Sequence, residues 1–413
     1  MKKSNFKLKQ FKIEVAGKPR QFDINQVLSI KYIEDIKSAC IRMEAQITDS
    51  ATHVLGAVEG MEPVIIEMAD EDGNAITNNM VVYDVQDRLI KEGKSKITLL
   101  LCTPDLINNT SIKVSKRFGT GEGIDIGTMV EKDILKGTLG TTENIDFEES
   151  MNKFSFISCY WTPFTIIKWL AARAIPKRGS GTNATAGYAF FQNKFGYKFW
   201  SYDKLAGQGL TTTGPNKFMV GYAEGELEDM KDKLAIDEVK IVSSNDILMG
   251  MNYGGYMSTV MTLDLMDMKY EEHPFNINKY YSAVGRMNPQ SPVPKYFSEI
   301  KEESYSRIMT KLFDTALFTE GTFTQDTTKI TSQAALREKL FYNKAVEVNF
   351  IGKLDYTVGE VVELFSPSGE KEKQKRDKSS GKYIIGRIER EFISRNDQMT
   401  TKMLLYTDSP GNY

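Results

Sequence analysis

Two stretches of this chain follow one pattern some three hundred residues apart, and that repetition limits its possible folds more than any other feature. "MVVYDVQDRLIKEGKSKITLLLCTPD" begins at Met80, and "GKYIIGRIEREFISRNDQMTTKMLLYTDS" runs from Gly381 to Ser409. Each joins two runs rich in β-branched, aromatic and aliphatic residues through a polar turn, the pattern of a β-hairpin. At a constant separation of 303 residues (81 to 384), Val81, Val82, Val85, Leu89 and Ile90 fall on Ile384, Ile385, Ile388, Phe392 and Ile393. Past the turn the separation is 304 (100 to 404), and Leu100, Leu101 and Thr103 fall on Leu404, Leu405 and Thr407. One residue has been gained in the turn, where insertions cost least.

The agreement continues upstream. Val64, Ile65 and Ile66 before Glu67 resemble Val361 and Val362 before Glu363, and "IRMEAQI" (41–47) resembles "AVEVNFI" (345–351) at a separation of 304 (41 to 345). Four strands in one order, met twice, predict an internal duplication. Alternation assigns Val81, Val85 and Leu89, with Ile384, Ile388 and Phe392, to the core face. Asp87 and Arg390 interrupt that face in both copies and predict a bulge or a strand end there. The opposite face carries Val82, Asp84, Gln86 and Arg88 in the first copy and Ile385, Arg387, Glu389 and Glu391 in the second. These eight are the candidate lumen or inter-subunit residues.

The rest of the chain predicts an α+β, predominantly β protein. Residues 1–108 form a first β domain and 109–235 an α+β insertion module. Residues 236–270 with 342–413 form a second β domain, interrupted by a mixed loop-and-helix insertion at 271–341. Within the module, Ile126 to Leu135 reads as a helix. "WTPFTIIKWLAARAIP" reads as a second, capped by Thr162, opened by Pro163 and stopped by Pro176. "GYAFFQNKFGYKFWSYDKLAG" reads as an aromatic hairpin turning near Asn193-Lys194.

Charge and motifs narrow the function. Lys plus Arg number 53 against 55 Asp plus Glu in 413 residues, a net charge of −2, which argues against chain-wide attraction to nucleic acid or an anionic membrane. The basic N-terminus has no apolar segment after it, and "FTIIKWLAARAI" is interrupted by Lys168 and Arg173, so neither a signal peptide nor membrane insertion is expected. Cys40, Cys102 and Cys159 are far apart and form no CxxC, so no metal or cofactor is expected. His53 and His273 are isolated, and the "GTGEGIDIG" glycines match neither GxGxxG nor a P-loop. The "EKEKQKRDK" run (Lys371, Lys373, Lys375, Arg376, Lys378) reads as a solvated loop tip, with a nucleic-acid-binding or surface-docking patch as the alternative. No catalytic residue is assigned. The remaining alternatives are a carbohydrate- or nucleic-acid-binding barrel using the aromatic hairpin, and a cell-wall hydrolase using carboxylates near Asp264 or Asp267.

This organisation resembles the baseplate hub proteins of contractile-tailed phages, whose architecture recurs in the N-terminal half of type VI secretion spike proteins. The likeness rests on the late "GEVVELFSPSG…SGKYIIGRIEREFISRNDQMTTKMLLYTDS", on "GGYMSTVMTLDLMDMKY", on "WTPFTIIKWLAARAIP" with its aromatic hairpin, and on the first hairpin copy. It implies two tail-tube-like antiparallel β-barrel domains with α+β insertions and a structural, non-enzymatic role in the virion, after assembly in the host cytoplasm. It also implies a homotrimer whose two barrels per chain mimic six-fold symmetry. Its implied partners are the tail tube or tube-initiator protein, the central spike and baseplate wedge proteins, with DNA passing through a central channel without specific binding.

Overall fold

The computed structural model describes residues 6–411 apart from 50–56, 71, 92–93, 120–122, 178–185, 223–226, 228–229, 244–247, 249–251, 253–255, 265–267, 278–280, 282–284, 293–307, 314–326, 368–376 and 395–397. The protein is mainly β, with helices gathered in the insertions. Ten strands make up the repeat and are labelled in chain order. The first five are β1 (Val27–Asp35), β2 (Arg42–Asp49), β3 (Pro63–Ala69), β4 (Ala75–Lys91) and β5 (Lys94–Cys102). The second five are β6 (Glu238–Ser243), β7 (Lys344–Ile351), β8 (Val361–Phe365), β9 (Gly381–Ile393) and β10 (Gln398–Thr407).

The two sets are wired identically. Hydrogen bonding runs β1-β2-β5-β4-β3 in the first and β6-β7-β10-β9-β8 in the second, every pair antiparallel. The registers agree from Val81 to Gln86 and from Ile384 to Glu389, beyond which Leu89 takes the place of Glu391 rather than the expected place of Phe392. Val81 faces Cys102 and Val82 faces Leu101, as Ile384 faces Tyr406 and Ile385 faces Leu405. Both hairpins then skip one residue at the same place, Tyr83 in β4 and Gly386 in β9. Even the turn before β3 and β8 is repeated: Met61 N–H donates to Val82 O (2.7 Å) and Gly359 N–H to Ile385 O (2.9 Å). There the Glu62 carboxylate accepts the Glu59 N–H (2.9 Å), as the Glu360 carboxylate accepts the Thr357 N–H (3.1 Å).

This shared bulge corrects the expected faces. A skipped residue inverts strand parity, so Val82 and Ile385 point into the cores, each fully buried, and only beyond the bulge does the opposite face reach solvent. Leu89, expected in the core, is 60% exposed, because β4 has a second irregularity at Asp87, whose φ is +51°. Arg390 is neither a bulge nor a strand end. It stays in the regular ladder and is buried. Two upstream alignments also shift. Met43 faces Leu101 as Val346 faces Leu405, so β2 matches β7 at 303 rather than 304 (43 to 346). Pro63 faces Val81 as Val361 faces Ile384, so Val361 matches Pro63.

Outside the repeat, Lys7–Val15 extends the first unit beyond β3 antiparallel, whereas Lys217–Val220 extends the second beyond β8 in parallel, so the second sheet is not wholly antiparallel. Lys217–Val220 and Lys233–Ile236 thus lie in the second sheet, although the expected division put all of these residues but Ile236 in the insertion. Met257–Asp264 and Lys269–Asn276 instead join Ile308–Phe313 in a separate three-stranded sheet. The expected helix at Ile126 begins as Ile126–Thr128 and continues as a wide-turned helix, Met129–Leu139. Pro163–Ala171 is helical, with the Thr162 hydroxyl accepting the Thr165 N–H (3.4 Å). Among the described residues no helix is long and apolar enough to cross a membrane. On helix Thr327–Phe341 the buried Arg337 bonds Asp203 (3.2 Å) and Asp408 (3.3 Å). Burial pulls this guanidinium's pKa down, but the two carboxylates outweigh it and raise it.

The bulge makes a direct prediction. A Cβ on Gly386 would lie 2.1 Å from the Tyr406 ring, whereas Tyr83, its counterpart, is 43% exposed. Gly386→Ala should cost about 1–3 kcal/mol through overpacking, and Tyr83→Ala under about 1 kcal/mol. Urea midpoints of the two variants check this.

Candidate assembly interface

The two repeated units meet edge to edge, through β9 and β1. Seven consecutive pairs run antiparallel from Arg387 opposite Asp35 to Ile393 opposite Ser29. The edge of β9 that bonds β8 at its start thus takes up β1 further along, and the two units share one sheet.

Beneath this junction lies a buried polar knot. Glu34, on β1, is fully buried and accepts from the Tyr32 hydroxyl (2.5 Å), the Thr357 hydroxyl (2.6 Å) and the Val358 N–H (2.9 Å). Burial, with Glu34 beside it, drives the Tyr32 hydroxyl's pKa far above its ordinary value. Arg390, opposite Tyr32, donates to the carbonyls of Tyr356 (2.6 Å) and Lys353 (3.3 Å). The aromatic hairpin, Tyr188–Asn193 with Gly196–Ser201, bolts onto both units. Its Gln192 side-chain carbonyl accepts from Thr103 (2.9 Å) and from the Ile41 N–H (3.3 Å) in the first unit. At its turn Lys194 donates to Leu354 O (2.8 Å) and also bonds Asp355 O, and burial lowers the amine's pKa.

The face opposite the knot is polar and continuous across both units. Lys31, Arg42, Arg387 and Lys402 interleave with Asp35, Glu347, Glu389 and Glu391 at positions fixed by the pairing registers. Lys31 bonds Glu389 across the junction (3.1 Å), Arg387 also pairs with Glu389, and Lys402 bonds Glu347 (2.9 Å). Of the eight candidate residues, Arg387, Glu389 and Glu391 lie on this face beside the junction. Asp84, Gln86 and Arg88 are exposed on the equivalent part of β4, and Val82 and Ile385 lie in the cores. The sequence could not reveal Glu34, Tyr32 and Arg390 as a unit, because Tyr32 and Glu34 lie more than three hundred residues from Thr357, Val358 and Arg390.

The groups considered for chemistry fall elsewhere. Of the hairpin's aromatics, Tyr188, Phe190, Phe191, Tyr197 and Phe199 are buried in the apolar clusters, Trp200 is half-buried, and Phe195 at the turn is exposed. Burial raises the Cys102 thiol to about 11, which leaves it a poor nucleophile at neutral pH. Carboxylate oxygens of Asp70, Asp72 and Asp355 lie within 4.8 Å of one another. They already serve as a clasp between the units: Lys353 bonds Asp72 (2.5 Å), and the Asn74 amide bonds Asp70 (3.1 Å) and Asp355 (2.6 Å). Asp264 and His273 fall on the separate three-stranded sheet, with their side chains outside the described residues, as are Asp267, His53, Lys371, Lys373, Lys375 and Arg376 altogether.

Glu34→Ala should cost several kcal/mol, because the buried Thr357 hydroxyl and Val358 N–H lose their acceptor at about 1–3 kcal/mol each. Glu389→Ala, on the solvated side of the same junction, should cost under about 1 kcal/mol. Paired denaturation curves check the contrast.

Neither any protein-family model nor any curated protein matches the chain. Solved structures do match in fold. The 43 kDa tail protein of prophage MuSo2 from Shewanella oneidensis aligns over 97% of this chain and 98% of its own, at 10% identity and a TM-score of 0.54. The tail protein from Neisseria meningitidis MC58 aligns over 98% and 96%, at 8% identity and 0.56. A chain of the Francisella PdpA–VgrG complex aligns over 98% of this chain but 53% of its own, at 9% identity and 0.52. The chain therefore resembles phage tail proteins and part of a PdpA–VgrG complex chain along nearly its whole length, a likeness of fold.

Proposed function

We propose that this protein is a structural, non-enzymatic hub of a contractile phage tail, a homotrimer joining the six-fold tail tube to the three-fold central spike. The observation that carries this reading is the duplication itself, five strands repeated with the same wiring, the same bulge and the same turn. A trimer of such chains offers six near-equivalent units to a six-fold tube and keeps three-fold symmetry toward a spike. The whole-length likeness to two tail proteins supports the same assignment.

In this reading the polar face lines the central channel. Its cations and carboxylates interleave and largely pair with one another, so a phosphate backbone passing along it meets no uncompensated basic stripe of the kind that holds nucleic acid. The insertion module, bolted to both units, faces outward toward baseplate wedge proteins. The site of action is the virion tail, assembled in the host cytoplasm.

Light scattering coupled to size exclusion should give three times the chain mass, and negative-stain images should show a ring of six similar lobes. A monomer that also ignores spike and tube proteins would sink the proposal.

A further inference from the structure

The chain contains one complete unit-to-unit junction, β9 against β1, and the two halves of another. β4 from Asp84 to Lys91 is the equivalent of the β9 edge, and β6 is the equivalent of β1. Among the described residues no strand pairs with this part of β4 on the side away from β5, nor with β6 on the side away from β7. We propose that these edges join head to tail between protomers, β4 of one adding antiparallel to β6 of the next, with Gln86 opposite Ser243, Leu89 opposite Lys240 and Lys91 opposite Glu238. The partner is a second copy of this chain, and the inference rests on the trimeric reading above.

The register follows from the internal junction and contains its own check. Asp84–Gln86 occupy the places of Arg387–Glu389, and Leu89–Lys91 those of Glu391–Ile393, because each pairs with the equivalent residue of β5 or β10. Between these segments β4 has two residues, Asp87 and Arg88, where β9 has only Arg390. On the other side, Glu238–Ile241 occupy the places of Ser29–Tyr32 and Ser243 that of Ile33, so Val242 is likewise one residue extra. Transferring the internal pairs Glu389–Ile33, Glu391–Lys31 and Ile393–Ser29 gives the three pairs proposed. Two residues then lie between Gln86 and Leu89 and two between Ser243 and Lys240, so the insertions face each other and cancel. Either alone would force a one-residue slip and turn every later side chain to the wrong face.

The exposed surface agrees. Leu89 is 60% exposed, Ile241 54% and Val242 52%, apolar side chains that stand on open strand edges among the exposed Asp84, Gln86, Asp87, Arg88, Glu238 and Lys240. The proposed register sets Leu89 diagonal to Val242, within reach of contact, and a lysine opposite a glutamate at the far end. A heterologous edge of this kind makes a ring when its rotation closes after three protomers, as the trimeric reading requires, with no second interface type.

The test uses the full chain with the exposed Cys159 replaced by Ser. Gln86→Cys with Ser243→Cys, and separately Leu89→Cys with Lys240→Cys, should under mild oxidation give disulfide-linked dimers and trimers on non-reducing gels. The bond from Ile36 N–H to Gly386 O makes Arg387–Asp35 a non-hydrogen-bonded pair of the internal ladder. Glu389–Ile33 and Glu391–Lys31 follow at steps of two, so both transferred pairs fall at close, non-hydrogen-bonded sites. Gln86→Cys with Ile241→Cys, slipped by two residues, should not cross-link. In parallel, deleting Asp87 alone or Val242 alone should raise the assembly's dissociation constant at least tenfold, and deleting both should restore it. A native trimer that cross-links at neither proposed pair, or only at the slipped one, overturns this register and leaves the hub reading standing, as does a double deletion no better than the single ones. A native protein that stays monomeric overturns both.

Discussion

The pairing of β9 with β1 is the contact on which the rest of the architecture depends. A single antiparallel ladder turns two small sheets into one and fixes the angle between the repeated units. It is held from both faces. Half-buried charges such as Lys31 and Glu389 span it on the solvated side and contribute little each. On the buried side the Glu34 carboxylate gathers the Tyr32 and Thr357 hydroxyls and the Val358 N–H, donors that would be costly orphans in the core without it. That asymmetry makes the buried knot the specific element, since it forms only when the turn at Thr357 and Val358 sits against β1.

The bulge at Tyr83 and Gly386 shows how the duplication has been kept while the packing diverged. Both hairpins skip a residue there, but the space is filled from opposite strands. In the first unit a tyrosine sits at the skip and Cys102 opposite the strand before it; in the second a glycine sits at the skip and Tyr406 takes that place. The ring has changed strands while the local backbone has not. The insertion has been fitted to the same frame. Its aromatic hairpin shares side chains between two apolar clusters, Phe190 and Phe199 in its own and Phe191 in that of the second unit, so the module is anchored by packing as well as by Gln192 and Lys194.

Much of the fold was legible in the sequence because strand alternation, turn chemistry and helix caps are local. The hairpins, the order of four strands, the Thr162 cap and the aromatic turn, found at Lys194-Phe195 one residue past the expected place, all follow from residues a few positions apart. The side-chain faces were not legible near Val82 and Ile385, because one skipped residue reverses a two-residue period and leaves no mark in the composition. The same limit shifted β2 by one place against β7 and placed Leu89 inside.

The sequence by itself determined that this chain is built from one β unit used twice, because a repeated apolar pattern survives wherever the same slots must be filled. Only the tertiary structure decided how the units are joined, which face is polar, and which edges remain for a neighbour. Those properties come from pairing between strands hundreds of residues apart and from irregularities such as Asp87 and Val242. Their meaning appears only when the two strands that carry them are brought to the same position in equivalent units.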